Sequence, residues 1–133
     1  MSIKTLLRSC ATIAVLLPVI ACNCENSELG SVASPTGDYR AVTFERDCGA
    51  NASPVVHVSV LKKEAIIGDR GNAFVGRPGD VIAGDGRAVG DWVTVRWLSA
   101  DRVLVSYARN VTPIRKELKV GSVAVEFSAP RTR

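Results

Sequence analysis

Hydrophobic and polar residues alternate with a period of two in several short stretches of this chain, a pattern typical of half-buried β-strands. The clearest stretches are residues 39–46, 55–61, 93–97, 103–107 and 123–127. Glycine, proline, serine and aspartate separate them, and no stretch beyond residue 21 has the period of a long helix. The pattern predicts an all-β domain, an antiparallel meander of six to seven short strands that is sandwich-like or curls into a half-barrel.

The strand predicted at residues 55–61 has the strongest pattern in the chain. Val56, Val58 and Val60 lie on one face, while His57 and Ser59 lie on the other. Valine favours extended backbone because its branched side chain packs well on a pleated surface. The valine face is therefore predicted to cover the core, and the more polar face is predicted to leave His57 at the surface.

Two hairpins are predicted in the C-terminal half of the chain. Residues 93–97 and 103–107 alternate on both sides of a short polar turn, so we expect them to pair. Residues 114–120 and 123–127 flank Gly121-Ser122 in the same way. This second pair is predicted to complete the meander.

A turn precedes the first predicted strand. Ser34-Pro35-Thr36-Gly37 has serine first, proline second and glycine fourth, the signature of a type I turn. Residues 24–33 are mostly polar or small and predict a tether that leads into this turn. We therefore expect a tether over residues 22–33, one β domain over residues 34–128 and a loose tail over residues 129–133.

The N-terminus has the layout of an export signal. Two basic residues come before or at the start of an apolar run, and residues 9–20 carry no charge. This run is shorter than the ~20 residues that a membrane-spanning helix needs. It ends in Val19-Ile20-Ala21-Cys22, which resembles a bacterial lipobox, and in such signals the cysteine becomes the lipid-modified first residue. We expect a signal peptide over residues 1–21 and lipidation at Cys22; cleavage without lipid and an uncleaved anchor are the alternatives.

Removal of the signal peptide on export changes the charge of the mature chain and the cysteines that remain available to pair. Without Lys4 and Arg8, the 17 basic residues of the chain fall to 15 against 13 acidic ones, and the arginines are scattered among the acids. A nucleic-acid-binding face would cluster them, so that function is excluded. With Cys22 lipidated, Cys24 and Cys48 form an even pair, which in an oxidising compartment predicts a disulfide. The alternative is two free thiols or a nucleophilic Cys48.

Three segments carry a resemblance to a known family. Cys24-Glu25-Asn26, residues 34–42 and Phe44-Glu45-Arg46-Asp47-Cys48-Gly49-Ala50 are similar to a small bacterial envelope lipoprotein family of unknown function. Its members carry a Ser-Pro-Asp-Gly turn, in which this chain has Thr36 for the aspartate, and an Arg-Asp-Cys-Gly-Ala motif. The resemblance covers roughly residues 24–127 and implies an envelope location, a β domain and the Cys24–Cys48 pairing. Because no catalytic residue is known for the family, the resemblance assigns none.

A few polar residues are candidates for recognition or chemistry. Arg46 and Asp47 are candidates for an ionic recognition site at the end of a strand, although such a pair is more often a solvated face with a turn-capping aspartate. His57 is the only histidine and a candidate for binding. As a base for Cys48 it would need a third group to orient it.

The tryptophans provide a candidate for partner binding, whereas the spacing of the aspartates argues against a calcium site. Trp92 and Trp97 fall on opposite faces of the predicted strand, so we expect one in the core and keep Trp92 as a candidate anchor for a partner. The spacing of the aspartates at 69, 80, 85 and 91 fits no twelve-residue calcium loop. No metal is therefore predicted.

Together these observations predict a lipid-anchored protein of the bacterial cell envelope, facing the periplasm or the exterior. Because no set of nucleophile, base and metal ligands is evident, we expect non-enzymatic binding of an envelope protein or surface polymer, with no cofactor and no nucleic acid. Two alternatives stay open: a soluble secreted inhibitor or immunity-type protein, and a thiol-dependent enzyme that uses Cys48.

Overall fold

The computed structural model describes residues 24–49, 54–79 and 89–129, which form two β-sheets. The predicted signal peptide over residues 1–21 and the predicted lipidation site Cys22 lie outside this part of the chain. No helix within the described ranges is long and apolar enough to cross a membrane.

Nine strands and a short 3-10 helix make up the described part of the chain. In chain order they are β1 (Glu25–Ala33), β2 (Tyr39–Asp47), β3 (Val55–Lys62), β4 (Phe74–Pro78), the 3-10 helix (Val89–Trp92), β5 (Val93–Ser99), β6 (Arg102–Tyr107), β7 (Val111–Lys116), β8 (Lys119–Val120) and β9 (Val123–Ser128). The first sheet has the order β1-β2-β3-β4-β7 and the second the order β5-β6-β9-β8. The predicted all-β, sandwich-like fold is confirmed, with more strands than the six to seven expected.

Strand β1 replaces most of the predicted tether, so that prediction is wrong over residues 25–33. β1 pairs antiparallel with β2, from Glu25 opposite Asp47 to Ala33 opposite Arg40. It is an exposed edge strand held mainly by backbone hydrogen bonds, so it needs no alternation of hydrophobic residues. Its pairing follows from constraints at both ends, a disulfide at one and a tight turn at the other, and the β domain therefore includes these residues.

The turn between β1 and β2 forms as predicted. The backbone N–H of Gly37 donates to the carbonyl of Ser34 at 2.9 Å, and Gly37 has a φ of 79°, which glycine adopts at little cost. The Ser34 hydroxyl also accepts the backbone N–H of Tyr39 at 3.2 Å. This turn fixes the register of the first two strands.

The second sheet departs from a simple meander. The predicted hairpin of β5 and β6 is confirmed, but residues 114–116 belong to β7, which pairs with β4 in the first sheet. The second hairpin is therefore reduced to β8 and β9. Because the chain crosses to the first sheet through β7 before it returns, β9 lies parallel to β6 rather than antiparallel.

The core lies between the two sheets and consists mainly of valine. Phe74, at the centre, stacks on Tyr107 of the second sheet with 5.2 Å between ring centroids. The valines alternate inward along their strands, as the period of two predicts. The fully buried members include Val56, Val58, Val103, Val105 and Val123.

The outer face of the first sheet is also buried, which the sequence pattern does not predict. Val42, Phe44, His57 and Ser59 lie on that face and are all buried. Residues 63–72, which we call the covering segment, run from β3 to β4 across it. The central strands of the first sheet, β2 and β3, are thus buried on two faces. His57 lies in this second, smaller buried layer rather than at the surface.

Side chain–backbone hydrogen bonds hold the covering segment in place. Arg40 donates to the carbonyl of Ala65 at 2.8 Å, and Asn26 donates to that of Gly68 at 3.0 Å. At the far end, the Asn72 side chain accepts the backbone N–H of Val60 at 2.8 Å and donates to its carbonyl at 2.9 Å. The Asn72 bonds satisfy the backbone groups of Val60 on β3, which lies beyond the part of β3 that pairs with β4.

Candidate functional site

A cavity of about 250 Å³ lies on the outer face of the first sheet, where that face meets the end of the covering segment. Its wall combines three arginines, one histidine, a disulfide cysteine and three aliphatic side chains. These residues are Arg46, Cys48, Val55, His57, Arg70, Val75, Arg77 and Ile114. We call this site the arginine cavity.

Strand alternation and register bring the wall residues together. Arg46 lies opposite Val55 across the β2–β3 pair, and His57 lies opposite Val75 across the β3–β4 pair. Residues two apart on a strand share a face, so Arg77 follows Val75 onto the same side of the sheet. Four strands thus supply the floor of the cavity, while Arg70 comes from the covering segment.

Arg46 connects three elements at one edge of the cavity. Its Nη1 donates to the side-chain oxygen of Asn26 on β1 at 2.8 Å and lies 3.7 Å from a carboxylate oxygen of Asp69. The Arg46 side chain is 21% exposed, whereas that of Asp69 is 97% exposed. The ion pair is therefore screened by water and contributes little energy, and it leaves most of the guanidinium's donors available.

The cavity has a positive electrostatic potential. Arginine stays protonated in proteins, so Arg46, Arg70 and Arg77 each supply a full positive charge. Within the described residues no aspartate or glutamate belongs to the wall; Asp69 touches Arg46 from outside it. Planar guanidiniums bind carboxylate and phosphate oxygens with paired hydrogen bonds, which makes an anion the fitting occupant.

His57 lies in the wall as a neutral ring. It is 4% exposed, stacks on Phe44 with 5.0 Å between ring centroids, and accepts the backbone N–H of Gly71 at Nδ1 over 3.0 Å. Burial lowers its pKa to about 4, helped by the charges of Arg46 and Arg70. Because Nδ1 is an acceptor in a neutral ring, the proton resides on Nε2, which is then a donor.

Cys48 is bonded to Cys24, which confirms the predicted disulfide. The two Cα atoms are 4.1 Å apart, and the pair follows directly on the Glu25–Asp47 position of the β1–β2 ladder. The disulfide therefore closes the edge of the sheet beside the arginine cavity. A disulfide sulfur is not a thiolate, and the His57 lone pair is used by Gly71, so this pair lacks the groups of a thiol–imidazole couple.

Two predicted site residues lie elsewhere. Asp47 is exposed and accepts the backbone N–H of Gly49 at 2.9 Å, so it caps a turn rather than lining the cavity. Trp92 is 6% exposed and belongs to the core, so its prediction as an exposed anchor is wrong. It precedes β5 in the 3-10 helix, and strand alternation therefore does not apply to it. Trp97 also packs against the core and donates to the carbonyl of Val32 at 2.9 Å.

Arg70 and Arg77 also line the cavity, although the sequence patterns described above do not indicate them. Arg77 lies on β4 two positions after Val75, which pairs with His57, so a strand predicted over residues 74–78 would place Arg77 near His57. Arg70 has no such signal, because its position depends on where the covering segment folds. Among the residues described, no group of three histidines, cysteines or acids could hold a metal ion.

Comparison of the chain with protein-family models, with curated proteins and with solved structures finds no match. The fold and site therefore define the protein only as an all-β sandwich with an arginine-lined cavity on its doubly covered sheet. The resemblance to the envelope lipoprotein family stays a prediction.

Proposed function

We propose that this chain is a lipid-anchored protein of the bacterial cell envelope whose β domain binds a negatively charged protein or surface polymer without catalysing a reaction. The observation that carries the proposal is the arginine cavity. It has three permanent positive charges on an otherwise largely apolar wall, which suits recognition of an anionic group.

The anchored location is supported by the sequence and by the cysteine chemistry. The charged-apolar-small layout of residues 1–21 is that of an export signal, and Cys22 stands at its lipobox. The Cys24–Cys48 disulfide is of the kind that persists in oxidising compartments. The same bond supports binding over a thiol-dependent reaction, because Cys48 has no free thiol.

Mass spectrometry of the protein from its native host tests the anchor. We expect a diacylglycerol mass on Cys22 and a disulfide between the Cys24 and Cys48 peptides under non-reducing conditions. An N-terminus cleaved without lipid would instead favour the soluble secreted inhibitor or immunity-type protein. A free thiol at Cys48 would reopen the enzyme alternative.

Charge reversal tests the binding role. The measurement is the binding of the full processed protein to an immobilised, lipid-free envelope extract from the same host. Arg70→Glu with Arg77→Glu is expected to weaken binding roughly tenfold or more, the effect of lost charge-assisted hydrogen bonds. The matched control is Arg96→Glu with Arg109→Glu, two exposed arginines outside the cavity. An equal loss in both double variants would show diffuse attraction between charges and contradict a site.

A further inference from the structure

We infer that the arginine cavity is a binding site for a phosphate monoester, with the phosphate held by Arg46, Arg70 and Arg77 and its organic group against the aliphatic wall. This inference rests on the proposed anion-binding function and names its ligand class.

The charge of the site favours a dianion. Arg46, Arg70 and Arg77 contribute three positive charges, and the exposed carboxylate of Asp69, which water screens, offsets only a small part of them. A phosphate monoester carries about −1.5 to −2 near pH 7 and therefore neutralises most of this charge. A carboxylate carries one negative charge and would leave most of it in place.

The arrangement of donors favours a tetrahedral group. The three arginines come from three separate elements, β2, the covering segment and β4. A single bidentate arginine occupies both oxygens of a planar carboxylate. The three terminal oxygens of a phosphate offer each guanidinium a partner, and the Nε2–H of His57 is a further donor in the wall.

The size and the apolar part of the cavity favour an ester over inorganic phosphate. A volume of about 250 Å³ corresponds to roughly eight waters at their liquid volume, which exceeds a bare ion. Val55, Val75 and Ile114 line the same space, and Ile114 is exposed. An organic group attached to the phosphate would cover these aliphatic side chains.

The position of the cavity suggests where such a phosphate comes from. Cys48 lines the cavity and is bonded to Cys24, two residues after the proposed lipidation site Cys22. Two extended residues span at most ~7 Å. A lipidated Cys22 would therefore hold the cavity close to the membrane surface, where the monoester headgroup of a lipid such as phosphatidic acid is the nearest source.

The test uses two probes that share a phenyl ring and differ in their anionic group, and the His57 ring reports binding. Phenyl phosphate and benzoate are titrated into the full processed protein in detergent, and the ring signals of His57, the only histidine, are followed by NMR. We expect phenyl phosphate to bind at least roughly tenfold more tightly than benzoate and to raise the pKa of His57, because a bound anion offsets the charges of Arg46 and Arg70. Its affinity is expected to fall below about pH 6, where the phosphate becomes a monoanion.

Variants separate the site from general attraction. Arg70→Gln and Arg77→Gln replace exposed side chains, so the fold is expected to stand, and each is expected to weaken phenyl phosphate binding roughly tenfold. Arg96→Gln and Arg109→Gln are the matched controls and should leave it unchanged. Loss in the controls as well would overturn the site.

The outcomes distinguish this inference from the proposed function. Benzoate binding as tightly as phenyl phosphate would overturn the phosphate inference and leave an anion-binding domain. Absence of binding by either probe would overturn both. Bilayers of phosphatidylcholine with and without phosphatidic acid then identify the source of the phosphate. A change in the His57 NMR signal only with phosphatidic acid assigns the phosphate to a lipid. An unchanged signal assigns it to a soluble or polymer-borne ester.

Discussion

The central strands of the first sheet, β2 and β3, are buried on both faces, but by different means. The inner face presents Val56, Val58 and Phe74 to the second sheet and is closed mainly by apolar contacts. Side-chain hydrogen bonds between the sheets, such as that from Trp97 to the carbonyl of Val32, add to these contacts. The outer face presents Phe44 and His57 to the covering segment and is closed largely by side chain–backbone hydrogen bonds between the sheet and that segment. The apolar contacts of the inner face form a stable core without charged groups. The hydrogen-bonded layer on the outer face has charged side chains at its edge. The candidate site forms at that edge.

The largest expected effects come from removing one phenylalanine from each face. Phe74→Ala should lower the free energy of unfolding by about 4 kcal/mol, because two rigid sheets cannot close around the space. Phe44→Ala should lower it by about 3 kcal/mol, because the covering segment can move inward. Urea denaturation measures both, and Ile66→Ala, an exposed position in the covering segment, is the unchanged control. A larger loss at Phe44 would contradict this view of the two faces.

Removing the disulfide should weaken the outer face selectively. Replacing Cys24 and Cys48 together by serine opens a loop of about 25 residues and lowers the free energy of unfolding by up to about 3.5 kcal/mol. Native-state hydrogen exchange should then show faster exchange of the β1 amides and of the Gly71 amide. The β6 amides should exchange no faster than the lower global stability predicts. Uniform acceleration across both sheets would show that the disulfide does not act locally.

Acid should destabilise the protein through His57. Its folded pKa of about 4 lies below the unfolded value of 6.5, so between these values the unfolded state binds more protons. Its contribution is therefore fully present above pH 6.5 and falls as the pH drops to 4, by up to about 3 kcal/mol. We expect His57→Gln to remove this part of the pH dependence in denaturation curves. Parallel curves for both proteins would show that His57 is solvated.

The smallest expected effects on the free energy of unfolding compare the hydrogen bonds and the ion pair that hold the covering segment. Asn72→Ala removes two side-chain bonds to the backbone of Val60 and should cost about 1–2 kcal/mol. Asp69→Asn removes only an exposed ion pair with Arg46 and should cost less than about 0.5 kcal/mol. The comparison is made by denaturation in the same buffer. Equal costs would indicate that the segment is held by charge rather than by hydrogen bonds.

Much of the fold follows from local patterns, while half of the site does not. The alternation at 93–97 and 103–107 predicts a hairpin that forms, and the Ser34–Gly37 turn forms as well. β1 escapes prediction because an edge strand exposed along most of its length carries no hydrophobic signal. Arg46 and His57 were found from their residue types, but Arg70 and Arg77 join them only through register and the fold of the covering segment.

The sequence by itself determined where most of the strands and the Ser34–Gly37 turn form, because a period of two and turn chemistry act over a few residues. It also determined that Cys24 and Cys48 were available to pair. Only the tertiary structure decided that β7 leaves its neighbours for the first sheet and that His57 is buried on a second covered face. Those outcomes depend on contacts between residues far apart in the chain. Forming such contacts costs chain entropy, and the packing that offsets this cost is not encoded in any local pattern.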